Sequence, residues 1–199
     1  RFWQAASKMM TACGKGVGDS DNPALILGAT ITALGLEGRD KISILSVPAI
    51  ESFGNWVEQL VAESVGKEDK GFLPVVGGEI GQPNHYGSDS NFIYLRVDDD
   101  PEVNAIDAKV RALRESGHPR ATLMLRDKYA LAGEFFRWEY ATAVAGQLLG
   151  INPFDEPNVT ESKQNTGRLL EYSENNGNLP LVEPFISKDG VGLFANERT

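Results

Sequence analysis

Gln59 and Glu63 stand four residues apart, with Gly66 and Lys67 just beyond them. The run Phe53-Gly54-Asn55-Trp56-Val57-Glu58-Gln59 reads as helix, and residues four apart on a helix lie one above the other on a single face. An amide and a carboxylate are thus side by side, Gly66 closes the helix, and Lys67 lies past its end. An acid or base, a hydrogen-bonding partner and a cation near one helix terminus are the parts needed to move a proton on an anionic substrate. A carboxylate near pKa 4 is a weak base toward carbon, so that chemistry requires partial burial of Glu63 to raise its pKa. The same residues also suit a solvated polar stripe on an amphipathic helix, and spacing alone leaves both readings open.

These side chains need a scaffold, and helical and extended patterns alternate along the chain. Helices are expected over residues 2–13, from Asp21-Asn22-Pro23 to Gly35 or Gly38, around Gln59 and Glu63, over 101–116, over 130–149 and over 157–174. Asn22 before Pro23 supplies a capping side chain and a proline for the first turn. Strands are expected at 41–47, 72–76, 91–97 and 121–125, with a polar loop from Gly77 to Ser90. Nearly continuous apolar strands alternating with helices predict a parallel sheet covered on both faces. Ligands of such sheets bind outside the carboxyl ends of the strands. Glu63 is fifteen residues beyond Pro48, about 22 Å along a helix that starts at that edge. A pocket between this domain and another would resolve the mismatch.

The chain has 199 residues, enough to bury a core, and a formal net charge of −9. That charge argues against a nucleic-acid backbone or an anionic membrane as partner, and an anionic substrate would need a local cationic pocket. No run of eighteen apolar residues is present, so no membrane span is expected. The start Arg1-Phe2-Trp3-Gln4 has neither an initiator Met nor a signal-peptide pattern, which suggests a processed or cropped chain. Cys13 is the single cysteine; a disulfide framework and a cysteine metal site are excluded, and a cytoplasmic location is expected. No cofactor is called for.

Two segments, Phe53 to Lys67 and Leu149-Gly150-Ile151-Asn152-Pro153-Phe154-Asp155 through Lys163, resemble the glucose-6-phosphate isomerase family, in particular the isomerase part of bifunctional transaldolase/glucose-6-phosphate isomerases. Lys8 to Gly14 and Gly133-Glu134-Phe135-Phe136-Arg137-Trp138-Glu139 support the resemblance, which covers most of residues 1–194. Val65 and Glu156-Pro157-Asn158 depart from many family members but agree with the bifunctional branch. The resemblance implies an α/β three-layer sandwich, with a mostly parallel sheet of about five strands between helices. This sugar-isomerase domain would span 1–177, followed by an extended tail over 178–199, in a fragment of a longer protein. It also implies interconversion of glucose 6-phosphate and fructose 6-phosphate through a cis-enediol. By motif position Glu63 resembles the base, Gln59 a substrate-binding residue, and Lys163 the lysine acting around ring opening; Lys67 is added as a substrate-binding cation. A preceding sugar-isomerase domain, a second copy of the chain, or both, are the implied partners, since no Ser/Thr-rich phosphate loop is found here.

Two rivals stand beside the enzyme: a non-catalytic sugar-phosphate-binding domain and a structural or dimerisation module. The ring-opening histidine has no secure counterpart. His118 in Ser116-Gly117-His118-Pro119 is the nearer candidate and His85 the further, with a surface-loop role the plainer account of each. Gly14-Lys15-Gly16-Val17-Gly18 follows a helix rather than a strand and lacks the setting of a dinucleotide fingerprint. No metal-ligand cluster is visible.

Overall fold

The computed structural model describes residues 1–180 and 182–194; of the expected tail, positions 181 and 195–199 lie outside the described residues. Helices are α1 (Phe2–Ala12), α2 (Pro23–Leu36), α3 (Ser52–Val65), α4 (Val103–Glu115), α5 (Leu131–Leu149) and α6 (Pro157–Asn176). Strands are β1 (Lys41–Ser46), β2 (Leu73–Val75), β3 (Ser90–Val97), β4 (Arg120–Leu125), β5 (Ile186–Lys188) and β6 (Val191–Leu193). The residues group into two compact units, Arg1–Asp155 and Glu156–Thr199.

In the first unit the order β2-β1-β3-β4 forms one sheet, parallel throughout, with Lys41 opposite both Leu73 and Ser90 and Phe92 opposite Arg120. It has four strands, the number the apolar runs predict and in keeping with the mostly parallel sheet of about five that the resemblance implies.

Side chains alternate across the strands. Ile42, Ile44, Ile93, Leu95, Leu123 and Leu125 bury against α2, α3 and α5, while Leu45, Phe92 and Tyr94 bury against Val110 and Leu113 of α4. One face therefore carries three helices and the other carries one. Helix α2 starts where Asn22 Oδ1 accepts from the backbone N–H groups of Ala24 and Leu25, which satisfies two of the amides a helix start leaves open. It lies close to α5 because Gly28 has no side chain. A Cβ there would come 2.5 Å from the Ala141 carbonyl oxygen.

In the second unit the 20-residue α6 ends at Gly177, whose φ of 73° is left-handed, as is common at helix C-termini. The segment expected as an extended tail contains a short antiparallel hairpin, β5 with β6, turning at Asp189 and Gly190. Among the described residues no helix is long and apolar enough to cross a membrane.

Candidate active site

Helix α3 buries Phe53, Val57, Val61 and Val65, the i, i+4, i+8, i+12 stripe of a helix lying on a sheet. Gln59 and Glu63 are on the outer side and both are exposed. Gln59 Nε2 donates to Glu63 Oε1 at 3.3 Å, the pairing their spacing predicts. Within the first unit Glu63 stands open to solvent rather than partly buried. Trp56, one turn before Gln59, stacks on Phe53 at 5.3 Å and meets Phe135 of α5 edge-on at 4.6 Å. This aromatic set anchors the α3 face that carries the amide and carboxylate.

Because β1 leads through a short turn at Pro48–Ile50 into α3, the helix starts at the carboxyl edge of the sheet and runs back along it. Its end, with Glu63 and Lys67, lies toward the amino edge, where residues 66–72 turn into β2. The crevice at the carboxyl edge is instead lined by Glu51, Glu79, Glu102 and a lone Lys109. Three carboxylates against one ammonium make that crevice a poor host for a phosphate.

Lys67 does not reach into open space. Its side chain is 2% exposed, and its ammonium donates to the Asn152 carbonyl at 3.0 Å, to the Asp155 carbonyl, and to Asp155 Oδ1 at 2.6 Å. All three N–H donors are thereby taken. The loop it holds is self-braced: Asn152 Oδ1 accepts from the Phe154 N–H, and Asn152 Nδ2 donates to Asp155 Oδ2. Gly146 lets the loop fold back on α5, since a Cβ there would stand 2.7 Å from the Pro153 ring. The two motifs, 88 residues apart at Lys67 and Asp155, are thus fastened together. The hydrogen bond from Lys67 holds the Asp155 carboxyl below the ordinary carboxylate range, against a smaller upward push from desolvation.

His118 caps a turn at the amino edge, before β4. Its Nε2 lies 3.1 Å from the Pro83 carbonyl, and its ring meets Phe92 and Tyr86 edge-on at 5.5 and 6.0 Å. Those contacts occupy it structurally. His85 is exposed in the turn Pro83–His85. Lys163 is exposed on α6 in the second unit.

Glu134 of α5 is a residue sequence reasoning named only as part of a motif. It is 2% exposed, and burial pushes its carboxyl upward while Arg137, with Nη2 at 3.3 Å, pulls it back more weakly. The signal that could have found it is a charged residue inside an otherwise apolar helix face, Ala132, Trp138, Ala141 and Ala145. Among the described residues no group of three or more His, Cys, Asp or Glu is placed to hold a metal ion.

Comparison with known proteins adds the following. No family model matches the chain. It is similar to glucose-6-phosphate isomerases of Streptococcus pyogenes serotype M18, at 28% identity over 62% of this chain and 35% of that protein, and of Lactobacillus helveticus, at 29% with the same coverage. The chain spans about a third of the length of these curated relatives. Among solved structures it is similar to a hypothetical protein from Thermus thermophilus, with TM-score 0.70, 17% identity, and coverage of 85% of this chain and 49% of that one. A glucose-6-phosphate isomerase from Chlamydia trachomatis gives TM-score 0.69 at 16% identity, covering 87% of this chain and 43% of that one. At such identities the structural likeness shows the fold: helices around a parallel sheet, shared with a sugar-isomerase protein.

Proposed function

We propose that this chain is the C-terminal sugar-isomerase domain of a glucose-6-phosphate isomerase, and that it acts on a sugar phosphate held against it by a partner domain or a second copy. The observation that carries this reading is the Lys67 clamp. It joins the two segments that resemble the family and leaves Gln59 and Glu63 presented together on the open face of α3. The similarity to curated isomerases supports the same reading.

In this account the Glu63 carboxylate takes the proton from C2 of the open-chain aldose phosphate, giving a cis-enediol, and returns a proton to C1 to form the ketose phosphate. Gln59, already bonded to Glu63, fixes the carboxylate and contacts substrate. Lys163 stabilises negative charge on the enediol oxygens. Lys67 acts by positioning the loop at Asn152–Asp155. His118 has its ring held by Pro83, Phe92 and Tyr86, so the ring-opening acid comes from elsewhere in the assembly. The covering partner excludes water and raises the basicity of Glu63. A fused transaldolase, the cytoplasmic location and the homodimer belong to this proposal too, on the family resemblance alone.

The test is fructose 6-phosphate to glucose 6-phosphate conversion by the intact protein and its Glu63→Gln variant. Loss of a general base lowers turnover by about 10²–10⁴. The urea midpoint should stay unchanged because Glu63 is exposed and buries nothing. Near-normal turnover in the variant rules the assignment out.

A further inference from the structure

Helix α4 covers only part of the sheet face it packs on. On the edge strand β4, Arg120, Thr122 and Met124 share that face by alternation, and Met124 is 59% exposed. Between α4 and β4 lies a cleft of about 340 Å³, lined by Arg96, Arg111, Arg114 and Arg120 with Asp107 and Tyr94 among the other side chains. Four guanidinium groups against one carboxylate, on a chain of net charge −9, run counter to the molecule as a whole.

The charges are not all spent internally. Arg96 Nε donates to both Asp107 carboxylate oxygens, at 3.0 and 3.1 Å, and its Nη1 reaches Asp98. Arg111, Arg114 and Arg120 have no carboxylate partner among the described residues, and Arg120 Nη1 donates only to Thr122 Oγ1 at 2.6 Å. Arg111 and Arg114 are three apart on α4 and so project from one side of it.

A second, independent sign is the Tyr94 hydroxyl. The residue is 1% exposed and lines this cleft, and its oxygen makes no hydrogen bond of ordinary length, although the Asp107 carboxylate stands near enough to act on it as an acceptor. Among the described residues five other buried side-chain atoms also lack a partner, so what sets this hydroxyl apart is its place in the lining of the cleft. Burial, and secondarily hydrogen bonding toward the Asp107 carboxylate, push the phenol upward, so it remains a donor. A donor hydroxyl beside three guanidinium groups without a carboxylate partner suits a ligand made of acceptors, and the guanidinium fork matches phosphate oxygens pairwise.

We propose that the cleft between α4 and β4 is a binding site for a small phosphate-bearing anion, held by Arg111, Arg114 and Arg120 with the Tyr94 hydroxyl donating at its floor. The volume is at the lower end for small-molecule sites. Its lining has few of the apolar and aromatic anchors on which a protein interface centres. The cleft lies across the sheet from α3, so its occupant is not the molecule reacting at Glu63. It is a second ligand, and the site stands whether or not the isomerase reading does.

Pyrophosphate is the probe. The 199-residue chain is titrated with it by calorimetry at low ionic strength, alongside the Arg111→Gln/Arg114→Gln double variant and Tyr94→Phe. The expected result is one saturable site, weakened at least tenfold in the double variant and several-fold in Tyr94→Phe, with citrate at least tenfold weaker than pyrophosphate. Arg111 and Arg114 are exposed, and an unchanged urea midpoint confirms that the double variant is folded. Absence of saturable binding, full affinity in the double variant, or equal affinity for citrate overturns the proposal. So does a wild-type dimer that the double variant dissociates without any pyrophosphate binding, which would make this face a protein interface.

Discussion

Lys67 shows how one buried charge organises a site it does not itself form. Replacing it with Met keeps the apolar stem but removes three hydrogen bonds, so Lys67→Met is expected to cost about 2 kcal/mol in urea unfolding. Its partner makes the effect pH-dependent. The Asp155 carboxyl is held low by Lys67, so the folded state resists its protonation. The stability from this pair is complete above the ordinary carboxylate range and is lost as pH falls through the lower folded value. Wild type should therefore lose stability on acidification more steeply than Lys67→Met; parallel curves would show that the pair contributes nothing. At this scale the sequence was informative only over short spans. The Gln59–Glu63 bond is a local consequence of helical spacing, and the structure contains it. The Lys67–Asp155 bond joins positions 88 apart, beyond any periodicity, so a lysine past a helix end reads as a free cation. The histidines illustrate the same limit: Pro83, Phe92 and Tyr86 surround His118 only because the chain returns to one sheet edge.

Among the elements, α5 packs most closely, and it does so through glycines on its partners and on itself. A Cβ on Gly28 of α2 would meet the Ala141 carbonyl oxygen at 2.5 Å and Val144 Cβ at 2.9 Å, and neither can move without shifting a helix. Gly28→Ala is expected to lower stability by about 1–3 kcal/mol through overpacking, despite the better helix propensity of alanine. Urea unfolding of Gly28→Ala beside the solvent-facing Gly167→Ala, which has open space, separates the two effects; equal midpoints would refute the close approach. Helices and strands were legible in outline because apolar periodicity reports burial directly: α2 begins at the Asn22-Pro23 signal and all four sheet strands fall on the apolar runs. The hairpin of β5 and β6 was not legible. Its residues are exposed, so they carry no alternation to read.

For the whole molecule, charge and topology matter more than any pair. A net charge of −9 makes compaction work against self-repulsion, which salt screens. Raising potassium chloride from about 0.01 to about 0.2 M should raise the urea midpoint, the Debye length falling from ~30 Å to below ~8 Å. A midpoint that falls instead would mean that specific ion pairs outweigh the general field. Topology has a different consequence. Every neighbouring pair in the sheet joins distant stretches, Lys41 with Leu73 and with Ser90, because parallel strands need a crossover between them. A ribosome adding ~5–20 residues per second leaves β1 without β3 for roughly 2–10 s. During that interval Ile42 and Ile44 have α2 and, once made, α3 for shelter, while Leu45 on the opposite face has no covering helix until α4 follows. The nascent chain is most open to chaperone capture, or to association with its own copies, after β1 has emerged and before residue 97 does.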